Sequence, residues 1–146
     1  MLSGIIIAGL VFAAAATGST FKPGEWYAGL NKPSWTPPNW AFPVVWAVLY
    51  CMIAYSGWLI WGVGAVIPII LWGLQLILNA LWSYFFFGLK NMKLALIDVS
   101  FLVITTIIYI VFAYPASELA AYLFIPYVIW VFTAAMLNLR VIQLNN

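Results

Sequence analysis

The sequence contains no histidine, one cysteine and few charged residues. Without histidine the chain lacks the commonest general base and metal ligand, which excludes Ser–His–Asp and Cys–His catalysis. The single cysteine, Cys51, excludes an intrachain disulfide. The net charge of +2 is too small to indicate a nucleic-acid-binding protein. We therefore expect no bound metal, no cofactor and no nucleic-acid partner.

The scarcity of charge also excludes a soluble domain. Charged residues make up 5% of the 146 residues, and hydrophobic residues make up 67%. A soluble domain carries about 25% charged residues. Five basic and three acidic side chains cannot cover a water-exposed surface. The composition therefore predicts an integral membrane protein, and the length predicts a single domain over residues 1–146.

The charged residues divide the chain into apolar segments. No charge lies between Pro33 and Leu89, a stretch much longer than the roughly 20 residues that one helix needs to cross a bilayer. The stretch must hold two helices, and the break falls in "WGVGAVIP", where Gly62, Gly64 and Pro68 interrupt the pattern. Helices satisfy their own backbone groups in lipid, and the short alternating strands of a barrel are absent from the sequence. The sequence thus predicts an all-α bundle of five transmembrane helices over about 2–21, 41–61, 65–87, 92–113 and 119–139, with loop 1 over about 22–40.

The first segment has a second interpretation. "IIIAGLVFAAAATGS" resembles the hydrophobic region and small-residue end of a secretory signal, but no Lys or Arg precedes it. Residues 1–20 are therefore either a cleaved signal or the first spanning helix, and the family resemblance given below favours the helix.

The basic residues indicate the orientation. With five spans, all of them fall on one side of the membrane, and basic residues concentrate on the cytoplasmic side of inner-membrane proteins. We expect loop 1, the loop after the third helix and the C-terminus to be cytoplasmic. The residues are Lys22, Lys32, Lys90, Lys93 and Arg140.

Loop 1 contains the unusual stretch "NKPSWTPPNW". Its three prolines restrict the backbone, so ordering the loop loses less entropy. Trp35 and Trp40 have two interpretations. They anchor the loop among lipid headgroups, or they fold over the helices as part of a lid on a cavity.

Three of the spans carry aromatic and amide side chains at helical spacing. Amides within a span tend to face the bundle interior, so these faces either form an aromatic chamber or simply join the helices. A chamber would suit a large, flat, mostly apolar ligand. The three faces are Trp46, Tyr50 and Ile53 on the second span, Gln75, Asn79, Trp82 and Phe86 on the third, and Trp130, Ala134 and Asn138 on the fifth.

Asp98 is the one acid well inside a predicted span. An acid in this position is a candidate for proton coupling. Lys93 lies close in the sequence, however, and pairing between these two residues near the membrane surface is the alternative.

Several motifs together resemble one family. They are "GSTF", "WYAGLNKPSWTPPNW", "VWAVLY", "QLILNALW", "FFGLKNMKLALIDV", "PYVIW" and "AAMLN". On these motifs, which cover nearly the whole chain, the sequence resembles the TspO/MBR family of translocator proteins, also called peripheral-type benzodiazepine receptors. The resemblance implies a homodimer of five-helix subunits with a ligand cavity under loop 1. It implies porphyrins such as protoporphyrin IX as ligands, together with sterols in animal members and synthetic isoquinoline- and benzodiazepine-type compounds.

The resemblance also assigns candidate residues. Trp46 and Trp130 match the two tryptophans linked in the family to light- and oxygen-dependent porphyrin breakdown, so they are the candidate catalytic residues if that activity is present. Together with Tyr50, which shares a face with Trp46, the candidate ligand-binding residues are Gly18, Trp35, Trp40, Trp46, Tyr50, Asn79, Trp82, Trp130, Ala134 and Asn138.

The sequence departs from the animal members after the last "LN". Leu139 stands where their sterol-recognition segment has a tyrosine, and Gln143 stands where it has a later arginine. We therefore expect only weak binding of lipid or sterol, and a protein of a bacterial cell membrane rather than an animal one. The resemblance favours a porphyrin-binding sensor or translocator. The alternatives are a porphyrin-degrading enzyme and, third, a small proton-coupled exporter that depends on Asp98.

Overall fold

Seven helices form the described part of the chain. The structure is a computed structural model that describes residues 1–21 and 23–146. The helices are α1 (Leu2–Thr20), α2 (Glu25–Ala28), α3 (Ala41–Val63), α4 (Val66–Ser83), α5 (Met92–Ala113), α6 (Glu118–Leu123) and α7 (Ile125–Leu144), and α4 continues into a π-helical turn, Tyr84–Gly88.

Five helical segments are long and apolar enough to cross a membrane, which confirms the predicted all-α bundle. The second spanning helix, α3, begins at Ala41 and ends at Val63, and the following Gly64 adopts the left-handed conformation at φ 76°. The Gly64 N–H returns to the carbonyls of Ile60 and Trp61, and this ends the helix. The predicted break therefore lies in the "GVGA" stretch.

The last spanning segment is not the single helix that the sequence predicted over about 119–139. The segment runs over Glu118–Leu144 and is divided at Phe124 into α6 and α7. Pro126 lies in the first turn of α7, where its missing N–H costs little, but it could not continue the hydrogen bonds of α6. Ser117 begins α6 by accepting a hydrogen bond from the Ala120 N–H.

The bundle packs α5 between α4 and α7, and α1 lies against α3 and α4. Two of these helices, α3 and α4, pack closely where Gly57 meets Trp72. A Cβ atom at Gly57 would lie 2.4 Å from the Trp72 ring, and the Trp72 indole donates to the Ile53 carbonyl at 2.9 Å.

A buried polar contact joins α3, α5 and α6. The Ser56 and Tyr109 hydroxyls lie 2.7 Å apart, and Ser56 donates to the Ala120 carbonyl. These contacts hold the helices that surround the cavity.

Loop 1 contains a helix that the sequence did not predict. The short helix α2 lies within it, and its last carbonyls are bound by Lys32. The Lys32 Nζ donates to the carbonyl of Tyr27 at 2.9 Å and lies 4.6 Å from the centre of the Tyr27 ring. Cationic groups stabilise helix C-termini and aromatic faces, so Lys32 holds the loop in a compact turn.

Candidate ligand-binding cavity

A cavity of about 630 Å³ lies between the helices and under loop 1. Residues of α1, α3, α4, α5 and α7 line it, and Pro23, Tyr27 and Asn39 close it from the loop. The volume lies within the roughly 300–1,000 Å³ that is typical of small-molecule sites. The wall is mostly apolar and aromatic, which suits a flat apolar ligand.

The structure brings most of the candidate binding residues together on this wall. They come from α1, α3, α4 and α7, and the helical spacing along each helix places them on a common face. The candidates that line the cavity are Gly18, Trp46, Tyr50, Asn79, Trp82, Trp130, Ala134 and Asn138.

The two loop tryptophans are placed elsewhere. Trp35 and Trp40 do not line the cavity, and 47% and 71% of their surfaces are exposed. The loop turns at Pro33–Thr36, and Trp40 stands immediately before α3. An exposed indole at the end of a spanning helix matches the interpretation as an interfacial anchor. Tyr27 and Asn39 take the place on the wall that we expected for the loop tryptophans.

One aromatic wall joins α3 to α7. The rings of Trp46 and Tyr50 are stacked with centroids 5.4 Å apart. The Trp46 and Trp130 rings meet edge to face, with centroids 6.4 Å apart and planes at 86°. Phe42 also meets the Trp130 ring edge to face, at 5.7 Å. Such pairs hold the rings in fixed relative orientations and leave their remaining faces for a ligand.

The opposite wall includes the π-helical turn. Phe86 and Phe87 are consecutive, yet both line the cavity. The Trp82 ring stacks on Phe86 at 5.1 Å, and Phe87 meets it edge to face at 5.7 Å. A π-helix turns less per residue than an α-helix, which brings neighbouring side chains closer to one face. Tyr27 packs on both phenylalanine rings and so joins loop 1 to this wall.

Burial also raises the pKa of the Tyr27 phenol above its ordinary value. The phenol is therefore un-ionised at neutral pH, and loop 1 places no negative charge at this position on the cavity wall.

Two hydrogen-bond chains occupy the amides of the cavity. Tyr50 donates to Asn79 Oδ1 at 2.9 Å, Asn79 Nδ2 donates to the Tyr127 hydroxyl at 2.8 Å, and Tyr127 donates to Gln75 Oε1 at 2.9 Å. This chain joins α3, α4 and α7. Asn79 therefore stabilises the bundle as well as lining the cavity.

The second chain lies nearer loop 1. The Trp82 indole donates to Asn138 Oδ1 at 3.1 Å, and Asn138 Nδ2 donates to the Met92 carbonyl at 2.9 Å. This chain joins α4, α7 and the start of α5. It occupies the Trp82 N–H and one N–H of the Asn138 amide, so both groups position the wall.

Three buried polar atoms have no hydrogen-bond partner among the described residues: Trp130 Nε1, Gln75 Nε2 and Asp98 Oδ2. Of the three residues, Trp130 lines the cavity, and Gln75 and Asp98 do not. An unpaired buried donor is costly and native proteins rarely leave one without a partner. The Trp130 indole is therefore the group on this wall that most needs an external acceptor.

Asp98 is buried on α5, with 5% of its surface exposed. In the described part of the chain its Oδ2 accepts no hydrogen bond, so the alternative of local pairing with Lys93 is not seen at this atom.

The described residues also hold no candidate metal site. Over residues 1–21 and 23–146, no group of three or more His, Cys, Asp or Glu side chains could hold a metal ion.

The motifs of the sequence match the TspO/MBR family over residues 4–144. The chain belongs to the TspO/MBR family. This match confirms the family resemblance seen in the sequence. Together with the five apolar helices, it supports a multi-pass membrane protein.

Similar proteins come from bacteria and animals. The chain is 39% identical to "Protein CrtK" of Rhodobacter capsulatus, over 90% of this chain and 86% of that protein. It is 37% identical to "Tryptophan-rich sensory protein" of Cereibacter sphaeroides, over 91% and 85% of the two chains. It is 40% identical to "Translocator protein" of Homo sapiens, over 88% and 82%. The family therefore includes sensory and translocator proteins of nearly the same length.

Proposed function

We propose that this protein binds porphyrins of the protoporphyrin IX type, and other flat apolar molecules, in the cavity under loop 1. It would act as a membrane sensor or translocator for them. Membership of the TspO/MBR family and the names of its sensory and translocator relatives support this class of function. The observation that carries the proposal is the 630 Å³ cavity with two aromatic walls.

The free Trp130 indole supports a ligand that carries a hydrogen-bond acceptor. A ring nitrogen or carbonyl oxygen placed on this wall would accept from Trp130 Nε1, which has no described partner. The aromatic faces of Trp46 and Trp82 would contact the flat body of the ligand. An acceptor-bearing aromatic ligand should therefore bind more tightly than a hydrocarbon of the same size.

The test is a titration of protoporphyrin IX into the purified protein, followed by the porphyrin absorbance band. Trp130→Phe keeps an aromatic ring but removes the N–H, and Trp58→Phe is the matched control, since Trp58 is 46% exposed and does not line the cavity. We expect saturable binding that is weakened about tenfold in Trp130→Phe, as one lost hydrogen bond implies. Equal affinity in both variants would contradict the role of Trp130.

A second candidate function is light- and oxygen-dependent breakdown of the bound porphyrin. The supporting observation is that Trp46 and Trp130 line the same cavity and meet edge to face. Both functions require binding in the cavity, but only the second requires that the bound porphyrin change chemically. Under the first function, the bound porphyrin bleaches in light no faster than the free porphyrin does.

We also propose that the protein is a homodimer in a bacterial cell membrane, with loop 1 and the C-terminus in the cytoplasm. The hydrogen bonds between Asn31 and Asn145 support one shared side for these two segments. Side-chain space is open at Gly9 on α1 and Gly73 on α4, and small residues allow close helix contacts in lipid. Cross-linking at each glycine position in native membranes would test which face pairs. Isoquinoline- and benzodiazepine-type compounds would occupy the same cavity, and lipid or sterol would bind weakly.

A further inference from the structure

Loop 1 is tied to the C-terminal end of α7 through Asn31 and Asn145. The Asn31 N–H donates to Asn145 Oδ1 at 3.0 Å, and Asn145 Nδ2 donates to the Asn31 carbonyl at 2.8 Å. The Asn31 side chain adds a longer bond, 3.5 Å, to the Leu144 carbonyl. One amide side chain thus pairs with both backbone groups of a residue that lies 114 positions away in the sequence.

This clasp, defined as the Asn31–Asn145 pair, lies between two cavity-lining residues of loop 1 in the sequence and does not itself line the cavity. Asn31 stands between Tyr27 and Asn39, and both of these residues line the cavity. If the clasp opens, the segment between them is freed from α7.

Two other sets of contacts hold loop 1 in place, and both differ from the clasp. Tyr27 packs on Phe86 and Phe87, an apolar contact that is largely shielded from water. Lys32 binds carbonyls of Tyr27, Ala28 and Leu30, so it stiffens the loop internally. Within residues 23–40, the side-chain hydrogen bonds that join the loop to the C-terminal end of α7 are those of the clasp. These bonds are exposed to water.

We propose that loop 1 is a lid on the cavity and that the clasp holds it closed. How often the clasp opens then determines how often loop 1 lifts from the cavity. Water competes for exposed hydrogen bonds, so this tie has a small net stability and breaks more readily than the aromatic contacts. The prolines on the C-terminal side of Asn31 make the segment stiff, so it would move as a unit. The inference adds a mechanism of access to the proposed function, and its test needs no ligand.

The structure predicts an asymmetry between the two residues of the clasp. Asn145→Ala removes the amide that bonds to both backbone groups of Asn31. Asn31→Ala removes only the long bond to the Leu144 carbonyl and leaves those backbone groups in place. The large effect is therefore expected in Asn145→Ala and a small effect in Asn31→Ala. The control is Asn146→Ala, at the neighbouring asparagine, which is exposed.

The experiment is hydrogen exchange of the ligand-free full-length protein in lipid nanodiscs. In Asn145→Ala we expect the amides of residues 24–40 to exchange about fivefold to tenfold faster, the change that corresponds to losing about 1 kcal/mol of local stability. The amides of residues 128–138 should be unchanged, which shows that the bundle remains folded. Faster exchange confined to residues 141–146 would overturn the proposal, because Asn145 also donates to the Val141 carbonyl and would then only cap α7.

A second readout measures access to the cavity directly. In a Cys51→Ser background, Ala134→Cys places a thiol on the cavity wall, and a water-soluble maleimide reports how often the cavity opens. We expect Asn145→Ala to raise the labelling rate about fivefold and Asn146→Ala to leave it unchanged. An unchanged rate in Asn145→Ala would overturn the lid role. Neither readout involves porphyrin, so a failure of porphyrin binding would count against the proposed function and leave this result intact.

Discussion

The indole rings of Trp46 and Trp130 meet edge to face across the cavity wall, with centroids 6.4 Å apart. They stand on α3 and α7, two helices that are distant in sequence, and each has a second aromatic partner in Tyr50 or Phe42. The pair therefore has a fixed orientation before any ligand enters. A preorganised aromatic wall lowers the entropy that a flat ligand must lose on binding.

If bound porphyrin is degraded in light, the reaction should depend on this pair. Trp46→Phe or Trp130→Phe, measured at saturating protein, is expected to slow the light-dependent bleaching of bound porphyrin by about tenfold. The indole is more readily oxidised than a phenyl ring of similar shape, so the substitution removes reactivity and keeps the contact. Trp58→Phe should bleach at the wild-type rate. Bleaching at the wild-type rate in all three variants would exclude a role of the pair in degradation.

The hydrogen-bond chain through Tyr127 should contribute to stability. Tyr127→Phe removes the hydroxyl that joins Asn79 Nδ2 and Gln75 Oε1, so both buried groups lose a partner. We expect a loss of about 1–3 kcal/mol in the free energy of unfolding, seen as a lower Tm in detergent. Tyr122→Phe is the control, because Tyr122 is exposed. An unchanged Tm in Tyr127→Phe would show that the chain carries no net stability.

Two glycines of α3 provide a matched test of packing. Gly57→Ala places a methyl group 2.4 Å from the Trp72 ring, whereas Gly62→Ala meets nothing within 4 Å. We expect Gly57→Ala to lose about 1–3 kcal/mol by overpacking, and Gly62→Ala to be neutral or to gain up to about 1 kcal/mol from helix propensity. Chemical denaturation in detergent would measure both. Equal stability of the two variants would contradict the close contact between Gly57 and Trp72.

Asp98 provides the test of the exporter hypothesis. Asp98 does not line the cavity, so Asp98→Asn should leave porphyrin affinity unchanged. If the protein were a proton-coupled exporter, this buried acid would be its candidate coupling group, and Asp98→Asn would abolish transport in proteoliposomes with a pH gradient. We expect no such pH-driven transport in either protein. Transport in wild type that is lost in Asp98→Asn would favour the exporter instead.

The sequence predicted the bundle because its signals were local. The long apolar segments, the scarcity of charge and the glycines around Val63 are read directly from the chain. The face of α7 was also predictable, because Trp130, Ala134 and Asn138 recur at helical spacing and all line the cavity.

The remaining features depend on tertiary structure or on local departures from regular helix. The π-helical turn places Phe86 and Phe87 on one wall, and a regular α-helical interpretation does not anticipate this. The Asn31–Asn145 clasp joins residues 114 positions apart, and no local pattern indicates it. Trp35 and Trp40 could either cover the cavity or anchor the loop, and their exposure was not determined by residue type.

The claim that the ligand lies among the helices is tested most directly with a variant that fills the cavity. Ala134→Phe adds an aromatic ring on the wall formed by α7, whereas Met136→Phe places a ring on the exposed face of the same helix. We would titrate protoporphyrin IX into wild type and both variants in nanodiscs. The proposed function predicts saturable binding that is lost in Ala134→Phe and kept in Met136→Phe. Equal binding in all three proteins would show that the porphyrin enters the lipid or docks elsewhere, and would contradict the cavity as its site.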